Sequence, residues 1–170
     1  MRPPHNERLL AIDLRPQRFG YAMFEGPKQL IDWGGKTFDS SRVAGERTAS
    51  LLSLFHPAVV TVRRDRHYGL RRPGTMAAVL RSIKREAAKR SIPVHLITAP
   101  DIEDAFRSLH IQNKDDMAFM LATKFPELLW KLPPKRKKWE HEHHRMVVFD
   151  AVAVGFAYHW HNGTRAPPAE

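Results

Sequence analysis

The apolar pattern of this chain changes character part-way along, and that change limits the folds open to it. Three short apolar runs come first, at residues 8–14, 19–25 and 29–38. Arg15-Pro16-Gln17-Arg18 and Gly26-Pro27 separate them as turns, which predicts an antiparallel meander. Gly34-Gly35 in the third run reads as a bulge. The spacing then turns helical over residues 42–55, with Ser40 or Ser41 as the cap and Pro57 as the stop. Residues 58–62 form a β-branched run of the kind buried on both sheet faces. A helix over 75–90 and a strand over 93–97 follow. Alternation of helix and strand requires parallel crossovers, so the sheet is expected to be mixed and the class α/β. Residues 101–109 and 113–125 read as helices, the second capped by Asn113, and the last helix spans 143–160.

The expected organisation is one domain over residues 8–161 between flexible tails, 1–7 and 162–170. With no cysteine there is no disulfide framework and no thiolate chemistry. No apolar run approaches a membrane span, which predicts no membrane partner and a cytoplasmic protein.

The formal charge is +10, from 28 lysines and arginines against 18 acids. Most of the excess lies between Arg63 and Arg90, where ten basic residues face only Asp65 and Glu86. Arg63, Arg64, Arg66, Arg71, Arg72, Arg81, Lys84 and Arg85 are the candidates for phosphate contact, since neutralising phosphates releases condensed counterions. Tyr68, flanked by arginines, is a candidate for stacking on an unpaired base. A second basic block, residues 135–138, reads as a charged loop. Phe19, Tyr21 and Phe24 read as core, and His159 and His161 as surface residues.

Two carboxylates stand in apolar settings. Asp13 lies inside the first strand, and Asp150 lies within the run Val147-Val148-Phe149-Asp150-Ala151-Val152 of the last helix. A buried carboxylate must be paired, hydrogen-bonded or bound to a metal. If the two converge, their hard oxygens suit a divalent cation and phosphodiester chemistry. His143 falls on the helical face of Asp150, one turn further out, within a run of histidines and glutamates that reads as a solvated helix start.

In order along the chain, six segments resemble the RuvC family of Holliday-junction resolvases. They are Leu9-Leu10-Ala11-Ile12-Asp13; Gly20-Tyr21-Ala22; His56-Pro57-Ala58-Val59-Val60-Thr61-Val62; Ser91-Ile92-Pro93-Val94; Asn113-Lys114-Asp115-Asp116-Met117; and Asp150-Ala151-Val152-Ala153-Val154. The resemblance implies an RNase H-like sheet of five strands, the first three antiparallel, flanked by helices. It implies nucleic-acid binding, with branched DNA as partner, a homodimer, and roles in DNA recombination and repair. It further implies a nuclease, an endodeoxyribonuclease using Mg²⁺ or Mn²⁺, with Asp13 and Asp150 as metal ligands and Lys114 beside the scissile phosphate. The chain departs from the family at three points. Arg63 stands where a ligand Glu is expected, Val147 where an Asp or His is expected, and Leu14-Arg15-Pro16 replaces Pro-Gly. Arg63 keeps its charge at any working pH, so it opposes a cation and favours pairing with the carboxylates. Asp65, two residues on, is the candidate substitute ligand. Two functions follow: a metal-dependent endonuclease, or a degenerate binding or scaffold module without metal. Ribosomal-RNA processing by a related nuclease is a third.

Overall fold

The computed structural model describes residues 7–64, 73–135, 137 and 144–164. Its elements are β1 (Arg8–Arg15), β2 (Arg18–Glu25), β3 (Leu30–Thr37), α1 (Ser41–Phe55), β4 (Val59–Arg64), α2 (Pro73–Ala88), β5 (Val94–Thr98), α3 (Ala99–Arg107), α4 (Lys114–Lys124), a 3₁₀ turn (Pro126–Lys131) and α5 (Met146–Thr164). The sheet has five strands in the order β3-β2-β1-β4-β5. β1 pairs antiparallel with β2 and parallel with β4, and β4 pairs parallel with β5. The mixed sheet expected from the run pattern is therefore present, with its meander at one edge.

Strand periodicity divides the core into two layers. Leu10, Ile12 and Leu14 of β1 pack with Val60 and Val62 of β4 against α1 and α2, whose Leu51, Leu52, Val79 and Ile83 are buried there. Leu9 and Ala11 point the other way and pack against α3, α4 and α5. Asp13 and Arg15 continue that second set, because residues two apart share a face. The periodicity of β1 and β4 thus places Asp13, Arg15 and Arg63 on the face covered by α3, α4 and α5.

α5 lies hard against the sheet because two glycines allow it. A Cβ on Gly20 of β2 would overlap the carbonyl oxygen of Val147, and one on Gly155 would overlap the ring of Phe24. This contact seats the N-terminal half of α5 over β2 and β1. Val147 itself is buried against Gly20 and Gly35. An apolar side chain there serves packing.

Several local expectations need correction. The irregularity in β3 is at Ile31: Met23 pairs with Asp32 and Phe24 with Leu30, whereas Gly34 and Gly35 pair regularly with Tyr21 and Gly20. Of the two candidate caps for the first helix, Ser40 is the one used, its hydroxyl accepting from the Val43 amide. α3 begins at Ala99 because Thr98 and Asp101 form a reciprocal capping box. Arg15 belongs to β1 and not to the turn, and β4 continues to Arg64. α5 begins at Met146 and runs to Thr164, and His143 lies outside the described residues. His159 and His161 are half-buried rather than fully exposed. Burial lowers His159 to about 4, beside the Phe24 ring, and the His161 ring meets the Asp101 carbonyl at 3.0 Å. Phe19, Tyr21 and Phe24 are buried, as the sequence suggests. Among the described residues no helix is long and apolar enough to cross a membrane.

Gly20→Ala is expected to destabilise the protein by about 2–3 kcal/mol, since backbone and not a flexible side chain must move. Gly163 has nothing within 4 Å of an added Cβ, so Gly163→Ala is expected within about 0.5 kcal/mol of neutral or slightly stabilising. Urea unfolding of the two variants checks both values.

Candidate functional site

Asp13 and Asp150 converge at the C-terminal end of β1, under the first turns of α5. Both are 1% exposed. Two anions buried together need compensation, and the chain supplies three cations. Arg15 reaches back along its own strand face. Its Nε donates to Asp13 Oδ2 at 3.0 Å, and its Nη2 donates to Asp150 Oδ2. Arg63 of β4, the neighbouring parallel strand, brings Nη1 to 3.8 Å from Asp13 Oδ1. Lys114, the first residue of α4, donates from Nζ to Asp150 Oδ2 at 3.1 Å. One guanidinium therefore spans the two carboxylates, and a second guanidinium and an ammonium flank them.

The register explains the gathering. Ile12 pairs with Val62, so the next residues, Asp13 and Arg63, sit side by side on the same face. Arg15 is two residues beyond Asp13 and shares that face. Asn113 caps α4 by accepting from the Asp116 amide, and this fixes where Lys114 leaves the helix. The close approach at Gly20 brings α5, and Asp150 with it, down to β1.

Burial, reinforced by the charge of Asp150, raises the Asp13 carboxyl from 3.8 to about 6, against the pull of Arg15 and Arg63. Asp13 Oδ1 is buried and accepts no hydrogen bond among the described residues. It faces the Arg63 guanidinium.

These residues do not fit a divalent cation. Among the described residues no three His, Cys, Asp or Glu side chains gather as a ligand group. The two available carboxylates share Arg15, whose charge is permanent. Among the described residues, three positive side chains contact the two carboxylates, so a dication would compete with cations already in place. Asp65, the candidate third ligand, lies outside the described residues, as do Arg66, Tyr68, Arg71 and Arg72.

Sequence reasoning identified Asp13, Asp150, Arg63 and Lys114 and missed Arg15. The residue precedes Pro16 and reads as a turn. The signal that finds it is the two-residue period from Asp13. The remaining basic candidates lie elsewhere: Arg81, Lys84 and Arg85 are exposed on α2, across the sheet from the carboxylates. Arg64 closes β4, paired with Thr98. Lys135 and Lys137 are exposed.

No protein-family model and no curated protein matches the chain. Solved structures do. The RuvC of Thermus thermophilus in complex with a Holliday junction substrate superposes with a TM-score of 0.73 at 15% identity, covering 94% of this chain and 96% of that one. A second Thermus thermophilus RuvC structure gives 0.69 at 15% identity, covering 92% and 96%. At this identity the likeness shows the fold: a five-stranded mixed sheet flanked by helices, arranged as in RuvC.

Two outcomes follow from the charge cluster. Asp13 holds its proton more tightly folded than unfolded. Its contribution to stability is full below pH 3.8 and is lost as pH rises through about 6. The loss is at most about 3 kcal/mol, and Asp13→Asn is expected to remove this slope from urea unfolding measured between pH 4 and 7. Arg15→Ala leaves two buried carboxylates short of their shared partner, and is expected to cost about 3–5 kcal/mol at pH 7. The cost should be smaller at pH 5, where Asp13 can protonate.

Proposed function

We propose that this chain binds structured nucleic acid without hydrolysing it, the space between Asp13 and Asp150 being held by an arginine. The carrying observation is the guanidinium of Arg15 on both carboxylates. A phosphodiesterase of the kind the sequence suggests must hold a dication there, and a permanent monocation on the same oxygens competes with it directly. Asp13, Asp150 and Lys114 then act in stability and in shaping the surface, not in bond cleavage.

Binding is supported by charge and by shape. The chain carries a net +10, and a polyanion is the partner that such an excess attracts. One of the solved structures with this fold is bound to a Holliday junction, which makes branched DNA the favoured class of partner. A homodimer would match the two-fold symmetry of such a junction. Basic side chains occur on both sides of the sheet. Arg63 and Lys114 lie at the carboxylate end, and Arg81, Lys84 and Arg85 lie on the outer face of α2. Among the described residues, Arg63 and the exposed cations of α2 therefore offer phosphate contacts on two faces.

The competing reading is a divalent-metal endonuclease using Asp13, Asp150 and Asp65. One observation favours it: the buried Asp13 Oδ1 that accepts no hydrogen bond among the described residues. The two readings separate in one assay. Four-way junctions, flaps and single strands are incubated with the protein in Mg²⁺, in Mn²⁺ and in a chelator. The expected result is retardation of branched substrates in all three, with no cleavage. Cleavage in metal that both Asp13→Asn and Asp150→Asn abolish would overturn the proposal. Arg81→Ala with Lys84→Ala and Arg85→Ala is expected to lower the salt dependence of binding by about three counterions, measured as the slope of log Kd against log salt.

A further inference from the structure

Beside the carboxylates lies a cavity of about 490 Å³ that the charge cluster does not fill. α3, α4 and the connection between them form its wall. Its floor is apolar: Ile102, Phe106 and Met117 are buried there, and Ile111 is half-buried. Its polar side carries Arg63 and Lys114, next to Asp150. The mouth is lined by the exposed Gln112 and Glu103. Pockets for small organic molecules commonly measure ~300–1,000 Å³ and join apolar walls to a few placed polar groups.

Resting on the nucleic-acid reading, we propose that this cavity takes one unpaired nucleotide. The base lies on the floor of Ile102, Phe106, Ile111 and Met117, and its phosphate meets Arg63 and Lys114. Three features select this ligand over others. An apolar floor beside cations suits a molecule with one flat, weakly polar end and one anionic end. The cavity has room for a single nucleotide and not for a paired step. Glu103 at the mouth offers an acceptor to an exocyclic amino group of a base. A base already unpaired enters at little unstacking cost, whereas a paired base must first be extruded. The pocket thus recognises a bulge, gap or branch point and disfavours a continuous duplex. The same chemistry is available from a nucleotide within a strand and from a free mononucleotide.

The test compares wild-type protein with Ile111→Trp, which fills the floor, and Gln112→Trp, which covers the mouth from an exposed position and keeps the fold if Ile111→Trp does not. Affinities are measured by fluorescence anisotropy for a perfect duplex and for the same duplex with a one-adenosine bulge. Adenosine 5′-monophosphate is titrated separately by calorimetry. The expected result is a preference for the bulge of roughly tenfold, the scale of one buried base. The substitution should erase this preference and leave duplex affinity unchanged. Saturable binding of the mononucleotide that the substitution blocks would assign the pocket to free nucleotides as well. Duplex binding with no bulge preference and no mononucleotide binding overturns the pocket and leaves the nucleic-acid reading standing. So does a bulge preference that survives both substitutions. Mononucleotide binding without affinity for any duplex or junction overturns the nucleic-acid reading and keeps the pocket.

Discussion

The charge cluster at the C-terminal end of β1 depends on Arg15 lying between two buried carboxylates. Asp13 and Asp150 come from opposite ends of the chain, and each is almost sealed from water. Left alone, the pair would repel, and each would bear the full cost of desolvation. The guanidinium contacts both, and Arg63 and Lys114 each reach one of them. Four elements meet in it: β1, β4, α4 and α5. The cluster is therefore a structural joint, and it ties the sheet to the helical layer that covers it.

On the proposed reading, the same joint decides the chemistry. A carboxylate pair at the end of a central strand is suited to a hard dication, but a guanidinium already there is fixed in place by the covalent chain and cannot be washed out or deprotonated. The site therefore behaves as one whose counter-cation is built into the sequence. Arg63 and Lys114 beside it are the cations that, on the proposed reading, would meet phosphates. The adjacent cavity adds an apolar surface beside them. On that reading, charge would supply affinity for a polyanion and the cavity a means to tell one structure from another.

Much of this was legible in the sequence, for identifiable reasons. The switch from meander to helix–strand alternation follows from apolar periodicity, and it gives the mixed sheet. Asp13 and Asp150 stand out because charge in an apolar run is costly and must have a partner. Lys114 and Arg63 were found through the family resemblance. Arg15 was not, because Pro16 makes the segment look like a turn although β1 extends one pleat further. The glycines show a related limit. Gly34-Gly35 resembles a bulge by composition, yet the glycine that matters is Gly20, whose missing side chain admits the Val147 carbonyl. That requirement belongs to the approach of a distant helix, and no local pattern encodes it. The half-buried ring of His159 is a similar case, since only the packing of α5 against Phe24 reveals it.

The most direct test of an arginine acting as the resident cation is to count bound metal. Free Mn²⁺ gives a six-line electron paramagnetic resonance signal that is lost on binding, so titration of the protein reports stoichiometry without reference to activity. The account predicts no stoichiometric binding by the wild-type chain at millimolar Mn²⁺. It further predicts that Arg15→Ala uncovers a weak site, lost again in the double variant with Asp150→Asn. One or two Mn²⁺ held tightly by the wild-type protein, and released by Asp13→Asn, would contradict it.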